Sequence, residues 1–305
     1  MSPGAFVLSL TDPDLDGLRA VLTSSGAFYL ADHGVDPAEL AAAYAAMATL
    51  CSLPQEARNA VQAADLPAMR GFSDLSLDAE YRQSWFCTSG LAEGDDAFPI
   101  PGAQPWPAEV PALRTAIEAV VPSLQSATER ALALALRALG APEAITRDLL
   151  RAPGGVAIRI LRYPALPEGV DRPGVTPHSD RPPLTIITQN EVDGLQWASR
   201  DGNGNPAAWF DLPGRPGCLL VQVGDALAHW SNDVARANIH RVDNRSDRDR
   251  YSLACFALPH PDTELRPWPG CGEPASPTVT FGRYLRDWLD SLRGEHIYQR
   301  PTYDR

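Results

Sequence analysis

The sequence predicts a mainly β protein with flanking helices, in which a jelly-roll core follows a helix-rich N-terminal region. The first half contains long helical patterns, whereas short β-branched and aromatic segments separated by turn residues begin near Gly155. Many short strands at this spacing are typical of a sandwich or barrel such as a jelly roll. We expect one fold, with a helix-rich region at 1–150, the core at 151–280, and a C-terminal helix and tail, a possible lid, at 281–305.

The helices of the first half are predicted from their start signals. Asp12-Pro13 and Asp36-Pro37 each combine an N-cap residue with proline at the first helical position. Glu39 completes a capping box with the second of these caps. The predicted elements are helices over 12–25, 36–53, 54–61 and 108–140, and a strand over the apolar run 26–34.

The longest helical pattern precedes Gly140, which is expected to end it. Its apolar residues recur at spacings of three and four, so one stripe of the helix is expected to be buried. Pro122 lies inside the pattern and predicts a kink. The stripe consists of Leu113, Ile117, Val120, Leu124, Ala127 and Ala131.

Six segments after Gly155 combine β-branched or aromatic residues with flanking turn residues, which predicts strands. A last helix is expected over Phe281–Leu292. The predicted strands are Ile158–Tyr163, Leu184–Thr188, Leu195–Trp197, Trp209–Leu212, Cys218–Val223 and Ser252–Leu258.

The composition excludes several classes of protein. The chain has 305 residues, a formal net charge of −12, and no lysine among its 26 basic residues. The charge argues against nucleic acid or an anionic membrane as the main partner. The lack of lysine excludes a Walker A loop, a pyridoxal phosphate Schiff base and a lysine general base. No apolar run reaches about 18 residues and the N-terminus lacks a basic segment, so neither a transmembrane helix nor a signal peptide is expected.

The cysteines are odd in number and form no CxxC pair. This pattern predicts reduced thiols in a cytoplasmic protein. The five residues are Cys51, Cys87, Cys218, Cys255 and Cys271.

The stretch TPHSDRPPLTI places His178 two residues before Asp180, at the entry to a predicted strand. Side chains at positions i and i+2 of a strand point to the same side, so an imidazole and a carboxylate can meet at one point. Two ligands hold a metal poorly, and a third is expected from a distant segment. The alternative is a hydrogen-bonded surface pair, which the short motif by itself favours.

The other histidines differ in their suitability as a third ligand. His240 in NIHRVDN is the best candidate because it lies at the approach to a strand. His229 in GDALAHWSND is a second candidate, for which packing or a hydrogen bond is the favoured interpretation. His33 is expected to cap a turn or lie at the surface, and His260 and His296 to lie in solvent. Two histidines and one carboxylate form the facial triad of non-haem Fe(II) oxygenases, which leaves three coordination positions open.

Ten residues after His240, Arg250 and Ser252 share one face of a predicted strand. A guanidinium matches a carboxylate with two hydrogen bonds, and a serine hydroxyl adds a third donor. A buried arginine is costly unless an anion pairs with it. The pair therefore indicates a pocket for a dicarboxylate bound to the metal, and the alternative is an internal ion pair with another carboxylate of the chain.

Five segments in this order, HSDRPPLTIITQN, GLQW, LVQVGDALAHWSND, IHRVDN and RYSLACFALP, resemble the isopenicillin N synthase-like group of Fe(II)/2-oxoglutarate-dependent oxygenases. Plant flavonoid and gibberellin oxidases and bacterial cephalosporin ring-expansion enzymes are similar. In the first half, GAFYLADHGV, LPQEAR, RGFSD and QPWP resemble the helical N-terminal region of the same group. The resemblance covers nearly the whole chain and implies a double-stranded β-helix core, a distorted jelly roll, flanked by N-terminal helices.

The resemblance also implies roles for the candidate residues. His178, Asp180 and His240 match the iron ligands of the group. Arg250 and Ser252 match the pair that grips the far carboxylate of 2-oxoglutarate. The implied co-substrates are 2-oxoglutarate and O2, used with Fe(II). The implied reaction is hydroxylation, desaturation or ring formation on a small organic substrate, in specialised metabolism, with release of succinate and CO2.

Other features of the resemblance concern the cavity. Tyr163 matches a tyrosine that often assists with 2-oxoglutarate, and Leu161 stands where the group commonly has an asparagine. Arg70, Arg181 and Trp197 lie near segments that line the substrate side in related proteins. They are candidates for substrate contacts, and a solvated arginine or a core tryptophan is an equally compatible interpretation.

Three alternatives for the function stay open. An Fe(II) oxidase of the isopenicillin N synthase type works without 2-oxoglutarate and keeps the arginine and serine for its peptide substrate. A Zn(II) hydrolase can use the same three ligands. An inactive binding protein would keep the fold without the chemistry. The sequence indicates neither the substrate nor the oligomeric state.

Overall fold

Two β-sheets organise the molecule, and the chain passes repeatedly from one to the other. The computed structural model describes residues 6–63, 70–75, 80–89, 104–151, 153–202 and 204–294. The helices of these ranges are α1 (Leu15–Leu22), α2 (Pro37–Ser52), α3 (Gln55–Ala60), α4 (Pro111–Leu139), α5 (Glu143–Arg151), α6 (Asp225–Trp230) and α7 (Phe281–Gly294). The strands are β1 (Val7–Ser9), β2 (Ala27–Ala31), β3 (Gly71–Ser73), β4 (Gln83–Ser89), β5 (Pro153–Tyr163), β6 (Val175–His178), β7 (Leu184–Gln189), β8 (Leu195–Arg200), β9 (Pro206–Asp211), β10 (Leu219–Val223), β11 (His240–Val242), β12 (Arg250–Pro259), β13 (Glu264–Leu265) and β14 (Val279–Thr280).

The larger sheet has the strand order β1-β2-β10-β7-β12-β5-β4-β3, and the smaller sheet has the order β6-β11-β8-β9. Strand β1 runs parallel to β2, and the other pairs in these two sheets are antiparallel. From β5 to β12 the chain passes back and forth between the sheets, with β8 and β9 forming an antiparallel pair within the smaller one, and this connectivity is that of a jelly roll. This architecture confirms the predicted fold class.

Apolar side chains fill the space on both sides of the larger sheet. One cluster lies between the sheets and joins Leu161 and Ile187 of the larger sheet to Val242 of the smaller. The other cluster contains the alternate side chains of the same strands, such as Ile160, packed against the helices. The predicted apolar stripe of α4 is buried there. The helices therefore cover one face of the larger sheet and leave the opposite face for the cavity.

The six strands predicted after Gly155 and the C-terminal helix are confirmed, with small changes in their bounds. The predicted cap of α2 is also confirmed, because the Asp36 carboxylate accepts a hydrogen bond from the Ala38 N–H at 2.8 Å. Gly140 ends α4 with a φ of 80°, as expected. Helix α4 continues through Pro122 as a single element.

The predicted start of the first helix is wrong by two residues. Asp14, not Asp12, caps α1, because its carboxylate accepts a hydrogen bond from the Gly17 N–H at 2.9 Å. The N–H of Asp12 instead donates to the Ser9 hydroxyl at 3.1 Å, within the turn that precedes the helix.

The first half contributes the predicted strand over 26–34, observed as β2, together with three strands that the sequence does not predict, β1, β3 and β4. β4 pairs with β5 along seven residues, from Gln83 opposite Arg162 to Ser89 opposite Val156. Its short apolar run is ambiguous in isolation, and pairing with β5 decides its conformation. Together β1 to β4 extend the larger sheet at both edges. Strands from both sides of residue 150 share this sheet. The division of the chain into regions at that residue stays a prediction.

Two further expectations concern the ends and the surroundings of the chain. Among the described residues, no helix combines the length and the apolar character needed to cross a bilayer. The tail of the predicted lid, 295–305, which includes His296, lies outside the described residues. The five cysteines are unpaired, which confirms the prediction of free thiols.

Candidate metal centre and its cavity

Three side chains meet at the inner side of the smaller sheet: His178, Asp180 and His240. Their potential ligand atoms lie within 4.8 Å of one another. Oδ1 of Asp180 is 3.6 Å from Nε2 of His178 and 4.0 Å from Nε2 of His240. Two imidazole nitrogens and one carboxylate oxygen at these separations can close around one divalent ion, and they are the donor set of a facial triad.

The smaller sheet brings the two histidines together. His178 is the last residue of β6 and His240 is the first of β11, and the two are direct partners across this strand pair. Asp180 lies beyond the end of β6, so the expectation that it shares a strand face with His178 is wrong. The loop after β6 instead returns the carboxylate toward the two imidazoles.

Both imidazoles are oriented through their Nδ1 atoms. Nδ1 of His178 lies 2.9 Å from the carbonyl oxygen of Thr176, and Nδ1 of His240 lies 3.4 Å from that of Asn238. A carbonyl oxygen only accepts hydrogen bonds, so each Nδ1 carries the proton and each Nε2 presents its lone pair. Burial, together with His178 nearby, lowers the pKa of His240 to about 4, which keeps this imidazole neutral near pH 7.

Asp180 is held through its side chain and its main chain. The Thr185 hydroxyl donates to Oδ2 of Asp180 at 2.6 Å, which leaves Oδ1 facing the imidazoles. The N–H of Asp225 donates to the Asp180 carbonyl at 2.8 Å. Gly224 permits this close approach, because a Cβ at that position would lie 1.9 Å from the carbonyl oxygen of Pro182. The loop therefore presents one carboxylate oxygen to the centre.

Arg250 and Ser252 lie on the larger sheet and are both buried, with 1% and 3% of their surface exposed. They share one face of β12, as predicted. Nη1 of Arg250 lies 3.5 Å from the Ser252 hydroxyl, and Nη2 donates to Oε1 of Gln189 at 2.6 Å. The guanidinium carbon is 4.9 Å from the centre of the Tyr163 ring. These contacts fix the plane of the guanidinium.

The Arg250 guanidinium has no anionic partner among the described residues. Its Nε makes no hydrogen bond, and no described carboxylate lies within 4.0 Å of its nitrogens. Burial lowers the pKa of Arg250, although Tyr163 opposes this shift. The internal ion pair considered as an alternative is thus not observed in the described part of the chain. A buried cation without a counterion is costly, and an anionic ligand would remove that cost.

One cavity of about 160 Å³ connects the His178, Asp180 and His240 group with Arg250. Its wall between these two ends is mostly apolar. Helix α7 contributes Leu285, Trp288 and Leu289 to this wall. Other apolar lining residues include Phe86, Phe256 and Leu258, and the polar lining includes Glu80, Arg82, Arg159, Ser179, Arg181 and Thr185.

The candidate substrate contacts lie in different environments. Arg181 lines the cavity, where its Nη1 donates to Oδ2 of Asp225 at 2.5 Å. Trp197 is buried outside the cavity wall and stacks on Phe210, with ring centres 5.1 Å apart. Arg70 is half-buried and is also outside the wall that the described residues form. Substrate contact by Arg70 or Trp197 stays a prediction.

His229 lies away from the group of three. Its ring meets the ring of Tyr284 edge-on, with centres 5.5 Å apart, and it is not part of the cluster of potential metal ligands. The packed role, which the sequence favours for this histidine, agrees with this contact.

The sequence does not predict the part played by Glu80. This carboxylate accepts hydrogen bonds from the Thr176 N–H at 2.6 Å, from the Thr176 hydroxyl at 2.8 Å and from Nε of Arg82 at 2.7 Å. Burial by itself raises the pKa of Glu80, but these donors outweigh burial and lower it. Because Thr176 contacts His178, Glu80 supports the metal centre indirectly. No local sequence pattern predicts this role of Glu80. The role of Thr185 could have been predicted in part, because strand alternation places its side chain on the face of β7 that lines the cavity.

Two family descriptions match the chain. The 2OG-Fe(II) oxygenase superfamily matches residues 155–259, which include the residues at both ends of the cavity. The N-terminal region of non-haem dioxygenases, described from morphine synthesis, matches residues 12–109.

Curated relatives extend the likeness. Gibberellin 3-beta-dioxygenase 1 of Oryza sativa subsp. japonica is 30% identical over 291 residues, which cover 89% of this chain and 72% of that protein. The 2-oxoglutarate-Fe(II) type oxidoreductase hxnY of Emericella nidulans is 34% identical over 196 residues, which cover 61% of this chain and 54% of that protein. The chain thus spans about half the length of this relative, and 55% of the sexual differentiation process protein isp7 of Schizosaccharomyces pombe.

Solved structures share the architecture. A 2OG-Fe(II) oxygenase family protein from Caulobacter crescentus has a TM-score of 0.80 at 23% identity, covering 94% of this chain and 99% of that one. A full-length Neurospora crassa protein in complex with alpha-KG and 5-formyluracil has a TM-score of 0.78 at 20% identity, covering 93% and 95%. At these identities the likeness concerns the fold. The 30% identity to the rice dioxygenase extends over most of both chains and shows common descent. This protein therefore belongs to the 2-oxoglutarate-Fe(II) oxygenase superfamily.

Proposed function

We propose that this protein is an Fe(II)/2-oxoglutarate-dependent dioxygenase that oxidises a small, largely apolar organic substrate. One observation carries the proposal: the buried guanidinium of Arg250, without a carboxylate partner among the described residues, faces the same cavity as His178, Asp180 and His240. A metal centre and a carboxylate receptor that share one cavity fit a ligand with a metal-binding end and a distant carboxylate.

The donor set fits Fe(II). His178 and His240 would supply Nε2, and Asp180 would supply Oδ1, because the remaining polar atom of each side chain already has a partner. Bound Fe(II), with 2-oxoglutarate and O2, supplies an oxidation in which one oxygen atom goes to succinate and the other accounts for oxidation of the substrate, with release of CO2. The protein's own share is to hold these groups and to exclude water.

Arg250, Ser252 and Tyr163 would hold the distal carboxylate of 2-oxoglutarate. Arg250 offers its Nε and Nη atoms, and Gln189 fixes the guanidinium from the other side. Leu161 lines the same cavity where many relatives of this group carry an asparagine, so it would offer shape and no hydrogen bond.

The substrate would enter from the side of α7. The side chains of Phe86, Trp288 and Leu289 would exclude water around it, and the wall they form favours an apolar body. Arg181 lies at this side, but its Nη1 already donates hydrogen bonds to Oδ2 of Asp225 and to the Tyr284 hydroxyl. Whether the outcome is hydroxylation, desaturation or ring closure depends on which substrate carbon lies next to the metal.

An anaerobic titration tests this function. The Fe(II) protein is mixed with 2-oxoglutarate, and the visible charge-transfer band of the chelate is followed. Air is then admitted with a panel of small apolar molecules, and succinate is measured. We expect the band, and succinate formation that certain molecules stimulate.

The rival functions give different results. Oxygen consumption with an organic molecule alone, without the band, would indicate an oxidase that does not use 2-oxoglutarate. Hydrolysis with Zn(II) in the absence of O2 would indicate a hydrolase, and failure to bind Fe(II) would indicate an inactive binding protein. We also propose a cytoplasmic location, which rests on the five unpaired cysteines.

A further inference from the structure

Asp225, whose carboxylate is buried, forms hydrogen bonds with three consecutive residues of the loop that carries Asp180. Oδ1 of Asp225 accepts a hydrogen bond from the Ser179 hydroxyl at 2.7 Å, and Oδ2 accepts one from Nη1 of Arg181 at 2.5 Å. The main-chain N–H of Asp225 donates to the carbonyl of Asp180 between them at 2.8 Å. The residue before the metal ligand, the ligand itself and the residue after it are therefore all bound to Asp225.

The position of Asp225 is itself fixed. It is the first residue of α6, and the N–H groups of Gly224 and Ala226 donate to the carbonyls of Pro183 and Arg181 at 3.0 and 3.1 Å. The absent side chain of Gly224 allows the start of α6 to approach the loop this closely. A shift of the Asp225 carboxylate would therefore also shift the loop, and with it the side chain of Asp180.

The same carboxylate also contacts α7. The Tyr284 hydroxyl donates to Oδ2 of Asp225 at 2.9 Å. The Arg181 guanidinium carbon lies 5.8 Å from the centre of the Tyr284 ring and 5.5 Å from that of Trp288. Leu285 and Trp288 of this helix line the cavity. The Asp225 carboxylate is thus hydrogen-bonded both to α7, which forms part of the cavity wall, and to the loop that carries Asp180.

We propose that Asp225 is a positioning residue that sets the orientation of Asp180 and links it to the docking of α7 against the cavity. The inference rests on the metal centre of the proposed function. Asp225 is not one of the three ligands and does not itself line the cavity, so its effect passes through Ser179, Arg181 and Tyr284. A change on α7 that leaves the three ligands intact should therefore alter metal affinity.

The test uses Co(II), whose visible absorption reports binding without turnover. Co(II) is titrated anaerobically into the metal-free full chain of the wild type, Asp225→Asn and Tyr284→Phe. Partners that orient metal ligands typically affect affinity about 10- to 100-fold, and we expect a loss of this size for Asp225→Asn. For Tyr284→Phe, which removes one hydroxyl, we expect a loss of about threefold or more.

Tyr29→Phe is the matched control. Tyr29 is also buried, and its hydroxyl donates to the carbonyl of Pro213 at 2.6 Å, but it does not line the cavity or contact the loop. Its Co(II) affinity should equal that of the wild type. Thermal unfolding of the metal-free proteins is measured in parallel, because a purely structural role would lower the melting temperature and leave the Co(II) affinity of the folded protein unchanged.

The outcomes separate this inference from the proposed function. A wild type that does not bind Co(II) overturns the metal centre. A wild type that binds Co(II), with Tyr284→Phe binding it equally well, overturns the link to α7. If Asp225→Asn does not fold, Ser179→Ala takes its place, since it removes the contact with Oδ1 and keeps the charge pair with Arg181. Unchanged affinity in Ser179→Ala and Tyr284→Phe together overturns the positioning role.

Discussion

The Thr185 hydroxyl donates a hydrogen bond to one carboxylate oxygen of Asp180, which leaves the other oxygen facing the imidazoles of His178 and His240. The bond measures 2.6 Å and is buried. Thr185→Val keeps the shape of the side chain and removes this bond, so the carboxylate gains freedom to rotate. We expect metal affinity to fall about tenfold, measured by anaerobic Co(II) titration. Thr128→Val is the control, because that hydroxyl binds the carbonyl of Leu124 within α4. Equal affinities in the wild type and both variants would contradict the role of Thr185.

The three proposed ligands differ from His229 in the effect of their removal. His178→Ala, Asp180→Ala and His240→Ala should each abolish oxygen-dependent turnover and Fe(II) binding near neutral pH, while the chain stays folded. His229 is not among the three potential ligands and its ring contacts Tyr284, so Fe(II) binding by His229→Ala should stay within a few-fold of the wild type. Iron content after anaerobic loading and desalting is the measurement. Loss of iron from His229→Ala with retention in His240→Ala would reverse the assignment of the third ligand.

Arg250→Gln removes a buried cation that is proposed to bind the distal carboxylate of 2-oxoglutarate. Truncating one partner of such a pair costs roughly 2–5 kcal/mol, which corresponds to about 30-fold to several-thousand-fold in affinity for 2-oxoglutarate. Fe(II) affinity should hardly change. Shorter 2-oxo acids without the second carboxylate should be less disadvantaged in the variant than in the wild type.

The charge-transfer band reports the affinity of Arg250→Gln for each 2-oxo acid. Arg130→Gln is a suitable control, because its guanidinium donates to the carbonyl of Leu10 at 3.2 Å, outside the cavity. An Arg250→Gln protein that binds 2-oxoglutarate as tightly as the wild type would place the distal carboxylate elsewhere.

Glu80 predicts a dependence of stability on pH. The folded state lowers its pKa below the ordinary value of 4.5, so the carboxylate stabilises the fold fully above that value, and the contribution is lost as pH falls through the folded-state pKa. Glu80→Gln should lower the free energy of unfolding at pH 7 by on the order of 3 kcal/mol, because Arg82 stays buried. The difference from the wild type should shrink as the pH falls below 4.5, measured by urea unfolding between pH 7 and 3. Glu118→Gln, in an exposed pair with Arg114, should change little, and a Glu80→Gln difference that stays constant with pH would refute the prediction.

The cysteines predict a simple count of reactive thiols. Burial raises the pKa of Cys51, Cys87 and Cys255 to about 12, so these thiols should react only after unfolding. Cys218 and Cys271 are partly exposed. A thiol reagent at pH 8, without reductant, should therefore label two groups in the native protein and five in denaturant. A single thiol in denaturant would mean two disulfides and a different compartment.

The sequence by itself determined features whose physical cause is local. A start signal such as Asp36-Pro37 acts within one helical turn, and the alternation of β12 places Arg250 and Ser252 on one face whatever the strand pairs with. The resemblance carried by short motifs added the residue types of the metal centre and of the 2-oxoglutarate receptor. These expectations needed no knowledge of which segments meet.

Only the tertiary structure decided the relationships between distant segments. Pairing of β6 with β11 sets His240 beside His178, and packing of α6 against α7 turns His229 to Tyr284 instead. The short run of β4 becomes a strand because β5 supplies its hydrogen bonds. The role of Asp225 depends on the close approach of α6 to the loop that carries the metal ligand, which Gly224 permits. Such contacts depend on burial and on main-chain hydrogen bonds between segments that are distant in the sequence, so a local sequence pattern cannot predict them.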